Sequence, residues 1–181
     1  MKRWPLSALV LAIALISAWA GFYVAQHSRQ ADIPTNTEAP SALLVAPLTG
    51  LDGSPLSLMH WPDKIRVVNF WATWCPPCRE ELPQLSALQA ELGTGSIQFV
   101  GIAIDDAAKV KDFLSKSPLR YPTALASGAT LGLTASLGNA SQGLPFTLIL
   151  DSHDKIVFSK LGLINVDDLR QQLQALNSGA H

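Results

Sequence analysis

One stretch constrains this chain more than any other. Ile65-Arg66-Val67-Val68-Asn69-Phe70-Trp71 is rich in β-branched and aromatic residues and predicts a central, buried strand. Cys75-Pro76-Pro77-Cys78 follows almost at once. Beyond it Leu82, Leu85, Leu88 and Leu92 recur at helical spacing, so the second cysteine stands near the start of a helix. Pro83 falls inside that helix and should kink it, because it has no N–H for the ladder. Gly93-Thr94-Gly95 ends it.

These are the only two cysteines among 181 residues. A bridge between them would close a four-residue loop, which restrains an unfolded chain very little. A structural staple is therefore a poor explanation of the pair. Chemistry is a better one. Thiols at i and i+3 can reach each other when the first opens a helix. Unpaired N–H groups and the positive end of the helix dipole favour a thiolate there, lowering a free-thiol pKa from about 8.5 to about 3.5–7.5. Cys75 is then the attacking sulfur and Cys78 the resolving one, with exchange running through a mixed disulfide. Pro76 and Pro77 fix the intervening backbone and carry no N–H to leave unsatisfied. Zinc would need four ligands, and no second Cys pair or His pair is present, so no metal is expected. Covalent haem attachment needs His after the second cysteine, where Arg79 stands.

The rest of the chain reads as scaffold or address. Lys2 and Arg3 precede a charge-free run from Leu6 to Ala25. Twenty helical residues cover about 30 Å, enough for a bilayer, and the basic tip favours an N-terminus inside with the remainder exported. Ala18-Trp19-Ala20 also has the form of a signal-cleavage site, so residues 1–25 are expected as a membrane anchor or a signal segment. Residues 26–40 are polar and read as a linker; residues 41–178 form one domain. After residue 30 the chain holds 10 basic and 14 acidic residues with no basic stripe, which gives no footprint for nucleic acid.

Within the domain, Asp52-Gly53 between Leu48 and Leu56 predicts a β-hairpin. Leu56-Ser57-Leu58 alternates like a half-buried strand, broken at His60-Trp61-Pro62-Asp63; His60, without partners, is a loop residue. Ile97–Ile104 predicts a second buried strand, and Asp105 or Asp106 a cap for a helix bearing Val110, Phe113 and Leu114. Residues 120–125 read as a short extended piece and 128–138 as a weak helix. Phe146–Leu150 and Ile156–Phe158 flank a turn at Asp151–Asp154 and predict an antiparallel pair. Asn165 caps a last helix with Leu169, Leu173 and Leu176 inward. The order implies an α/β domain: a central mixed sheet with helices on both faces.

Trp74-Cys75-Pro76-Pro77-Cys78 after Val67-Val68-Asn69-Phe70-Trp71 resembles the active site of thioredoxin-fold proteins, and more narrowly the exported TlpA/ResA/DsbE-like thioredoxins. The resemblance covers residues of about 41–178. It implies a thioredoxin fold with an N-terminal β-hairpin and a central strand–helix insert, held between Asp106 and Gly143. It places Pro83 at the family's helix-kinking proline and Leu144-Pro145 at its cis-proline, which packs beside the disulfide and offers backbone to an extended client. Glu81 matches a glutamate near the family's disulfide, and a carboxylate there would shuttle the resolving thiol's proton. As a residue it is equally a first-turn acid favoured by the helix dipole, as is Glu80. Asn69 stands where cytoplasmic thioredoxins have a titratable Asp, so that proton route is closed. Trp74 beside the sulfur, with Pro76, Leu144 and Pro145, forms the expected client contact.

The reading is a thiol:disulfide oxidoreductase, exported to the periplasmic side of an inner membrane, with no cofactor beyond the Cys75–Cys78 pair. The resemblance implies a reductant of client disulfides, for example in cytochrome c or metal-site maturation, recharged by a membrane electron donor. Two rivals stand beside it. A thiol peroxidase of this fold carries Thr or Ser three residues before its cysteine, where Ala72 stands here. A non-catalytic client-binding domain would have no need of both cysteines.

Overall fold

The computed structural model describes residue 17 and residues 38–93 and 95–178. Apart from residue 17, the expected anchor or signal segment lies outside these residues, as does all but the end of the expected linker. Among the described residues no helix is long and apolar enough to cross a membrane.

The strand expected at the centre is there. β3 (Ile65–Trp71) is buried at all seven positions. It pairs parallel with β4 (Ile97–Ala103) and antiparallel with β6 (Phe146–Leu150). A parallel neighbour requires a crossover, and α2 (Pro76–Leu92) provides it. Helices α3 (Ala107–Lys116) and α4 (Gly128–Leu133) flank β5 (Thr123–Leu125), and α3 carries the chain from β4 to β5, which pairs parallel with it. These elements fill the stretch expected to hold the insert. The N-terminal hairpin of β1 (Leu48–Gly50) and β2 (Pro55–Leu56) extends one edge, and β7 (Ile156–Leu161) the other. The sheet is mixed, in the order β2-β1-β5-β4-β3-β6-β7.

Two cores follow from the two faces of the sheet. Ile65, Val67 and Trp71 join Leu82, Leu85 and Leu88 of α2, Val110 of α3, and Leu169 and Leu173 of α5 (Val166–Ser178). Val68, Phe70, Val100 and Ile102 join Leu43 of α1 (Glu38–Leu44) and Leu137, in the 3₁₀ turn after α4. Each buried leucine contributes about 1.5–3 kcal/mol of transfer free energy. A strand covered on both faces has no polar side to show, so β3 reads as a continuous apolar run.

Local chemistry sets the ends of the elements. The hairpin turns on Asp52, whose carboxylate accepts from Ser54 N and Oγ at 2.9 and 2.6 Å, and on Gly53 at φ +89°. Asp106 caps α3 by accepting from Ala108 N and Lys109 N. Asn165 does the same for α5 through Asp167 N and Asp168 N. One expectation fails: Leu58 does not continue a strand. Ser57 Oγ accepts from Met59 N at 3.1 Å and starts a 3₁₀ turn over Leu58–His60 instead.

Candidate active site

Cys75 is the N-cap of α2, and Cys78 lies one turn in. Their sulfurs are joined, with Cα atoms 5.3 Å apart. Pro76 and Pro77 occupy the first two helical positions and bring no N–H. Only two donors remain in the first turn. Cys78 N–H points at Cys75 Sγ at 3.3 Å, and Arg79 N–H donates to Cys75 O at 3.2 Å. The first sulfur therefore receives a single directed donor along with the helix dipole. Cys75 is 3% exposed and Cys78 0%, so both are buried, Cys78 completely. The segment before Trp74 is pinned from outside, where Asp105 accepts from Thr73 N at 3.0 Å and from the Thr73 hydroxyl.

Glu81 lies one further turn along α2, on the same side as Cys78. Its side chain is wholly buried. Asn69 Nδ2 donates to Oε1 at 2.7 Å and Ile164 N–H to Oε2 at 3.3 Å. Burial raises the carboxyl from its ordinary 4.5 to about 7, although both hydrogen bonds pull the other way. The reading of a solvated first-turn acid fails for both glutamates, because the helix already starts at Pro76 and has no acid in its first turn; Glu80 is exposed and Glu81 buried. Beneath Glu81, Asn69 is level with Thr147 on β6 and Gly101 on β4, and Gly101 is level with Thr123 on β5. Asn69 Nδ2 also donates to Thr147 Oγ1 at 3.0 Å. A Cβ at Gly101 would stand 3.1 Å from Trp71 Nε1 and 3.3 Å from Thr123 Oγ1, so the missing side chain is what admits the indole. Tyr121 is buried beside this row. Its phenol is held well above its usual range by burial and then by the Glu81 charge, and stays neutral.

Trp71 is fully buried and Trp74 is 65% exposed next to Cys75. The Leu144–Pro145 bond is cis. Phe70 pairs with Phe146, which brings Pro145 to the cysteine end of β3. Leu144 is half-buried and packs against the core cluster that contains both cysteines. Pro76 is exposed. Two residues near this wall were not singled out from sequence. Leu161 and Leu163 are 41% and 48% exposed. Gly162 N–H between them donates to Pro145 O at 2.8 Å, and Ile164 N–H reaches Glu81. The available signal was a glycine among three apolar residues, Leu161, Leu163 and Ile164, at the end of an edge strand.

Residues 31–173 match the family described as Redoxin. The chain belongs to the redoxin family. This redoxin is similar to the thiol-disulfide oxidoreductase ResA of Bacillus cereus, 25% identical over 97% of this chain and 99% of that one. It is similar to the thiol:disulfide interchange protein HelX of Rhodobacter capsulatus, 29% identical over 97% of each chain. Among solved structures, a thioredoxin-related protein from Neisseria meningitidis serogroup B is 33% identical with a TM-score of 0.65. That match covers 72% of this chain and 98% of the other. The fold is that of thioredoxin, and the enzyme is a thiol:disulfide oxidoreductase acting on disulfide-containing clients.

Proposed function

We propose that this redoxin is an exported reductant of selected protein disulfides, working through Cys75 and Cys78 with Glu81 as the proton acceptor. The observation that carries the reading is the unequal placement of the two sulfurs: Cys75 at the helix mouth, and Cys78 buried with Glu81 one turn deeper. In the reduced form the Cys75 thiolate attacks a client disulfide. The client S–S bond breaks, a Cys75–client bond forms, and the displaced client sulfur leaves as a thiolate that takes up a proton. Cys78 then passes its proton to Glu81 and attacks Cys75 Sγ. The mixed disulfide breaks, the second client thiolate is released, and the Cys75–Cys78 disulfide closes. Two electrons pass to the client, and its two released thiolates take their protons from solvent, to which Glu81 returns the proton of Cys78.

A neutral-range carboxyl suits this step, because it accepts a proton from a buried thiol and returns it to solvent at the same pH. Trp74, Pro76, Leu144 and Pro145 form the client contact, and Leu161 and Leu163 extend it. Residues 1–25 export the domain as an anchor or a signal segment, and a membrane dithiol donor returns two electrons to the disulfide. Cytochrome c or metal-site maturation factors are the proposed clients.

Trapping tests the cycle. Cys78→Ala should hold clients on Cys75 as mixed disulfides released by dithiothreitol; an accessible Cys75 that traps nothing overturns the exchange role. The reduction potential tests direction, and a value near the oxidising end of the known range, about −120 mV, would reverse it.

A further inference from the structure

An open groove of about 710 Å³ runs along α2, between that helix and the end of α3 with the segment that follows it, and Pro145 is not among its lining residues. Its first residue is Pro76, the neighbour of Cys75, and its last on α2 is Ala87. Eleven helical rises span about 16 Å, the reach of about five extended residues. The walls are apolar, with Leu82 and Pro83 on one side and Phe113 and Leu119 on the other. Arg79 and Arg120 also line it, both exposed, and neither forms an ion pair among the described residues. Glu80 stands with them, so the groove carries two positive charges against one negative. Pro83 contributes more than surface. Lacking an N–H, it cannot donate to the carbonyl of Arg79 four residues earlier, which leaves an acceptor free of its helical partner in this wall.

We propose that this groove docks an extended client segment flanking the reactive cysteine, an apolar residue with an acidic one, and so contributes to client selection. The inference rests on the oxidoreductase reading, since the groove begins beside the sulfur to which a client would be joined. Each feature matches a part of such a segment. The apolar walls take the apolar side chain, the Arg79 carbonyl takes a backbone N–H, and Arg79 and Arg120 take the carboxylate. A small disulfide lacking flanking residues would not use it.

The test measures second-order rates of reduction for three substrates. Two are disulfide-linked peptides with five-residue flanks, identical except for Glu or Lys beside a Leu; the third is 2-hydroxyethyl disulfide. Wild type should favour the Glu peptide by about fivefold, the size expected of exposed charge pairs. Arg120→Glu, which lies off the thiol helix, should abolish or invert that preference and leave the small disulfide within twofold. Ala87→Trp, an exposed residue filling the groove far from the sulfurs, should slow both peptides and spare the small disulfide. Equal rates for the two peptides, or a loss in either variant shared equally by the small disulfide, would overturn the proposal. Concentration-dependent dimers dissolved by Ala87→Trp would give the groove to a second copy and overturn it too. If wild type reduces none of the three substrates, the oxidoreductase reading itself falls.

Discussion

Strand β3 is bound near its two ends by buried ionisable side chains that are handled in opposite ways. Arg66, at the start, is 1% exposed. Its guanidinium donates to Leu58 O at 3.4 Å and Asp151 O at 3.2 Å and pairs with the Asp154 carboxylate. Glu81, packed over Asn69 toward the other end, is also buried, but its partners are a neutral amide and a backbone N–H. A buried charge and its counter-charge tie together the segments that supply them, and removing one partner leaves the other uncompensated. A buried carboxyl with neutral partners pays for desolvation by shifting toward neutrality, where it can exchange a proton. The far end from the disulfide is therefore a clamp, and the disulfide end a switchable site.

The largest expected effect separates the two by pH. Below about 4.5 Glu81 is protonated in both the folded and the unfolded chain; between 4.5 and about 7 only the folded state keeps the proton. Stability from this group is thus complete below 4.5 and is lost as pH rises to about 7. The loss amounts to about 3 kcal/mol. Denaturant titrations of the oxidised protein at pH 5 and pH 8 should show it, and Glu81→Gln should flatten the difference while keeping an acceptor for Asn69. A Gln variant with the parent's full pH slope would show that Glu81 is not the titrating group.

Asp154→Asn probes the clamp. It leaves the Arg66 charge buried without its counter-ion and should cost about 2 kcal/mol, moderated because Asp154 is half exposed. Asn also tolerates the positive φ of 65° at that turn. The reduction potential should stay where it was. A shifted potential with unchanged stability would mean that the two ends of β3 are not separable in this way.

Much of this was legible in the chain because local chemistry and burial agreed. The strand before Cys75, the Asp52-Gly53 turn and the Asn165 cap all follow from residue types at fixed offsets. Leu58 was misplaced because period-2 alternation over three residues does not reveal the Ser57 hydroxyl bond that starts a 3₁₀ turn. The handling of Arg66 was not legible, since its partners lie 8, 85 and 88 positions away. Glu81 was open between two roles for the same reason: Ile164 N–H arrives from 83 residues on, and only the folded chain shows that the side chain is buried. Asp105 and Asp106 were interchangeable as caps from sequence. The fold assigns the cap to Asp106 and sends Asp105 to Thr73.

The finest test makes the disulfide end resemble a charged cluster without adding a cation. Asn69→Asp replaces the amide that donates to Glu81 Oε1 at 2.7 Å with a second carboxyl. Two carboxylates at that separation cannot both ionise cheaply, so they share one proton and titrate as a pair. The upper step should move above 7 by about one unit, equivalent to about 1.4 kcal/mol. Thr147, which accepts from Asn69 in the parent, would turn its hydroxyl to donate to the new carboxylate. Carboxyl-carbon titration by NMR reads the step directly, and the pH window in which stability falls should move upward with it. An upper step that stays near 7 would mean that the new carboxyl has turned away, and that the Asn69 contact does not set the proton affinity of Glu81.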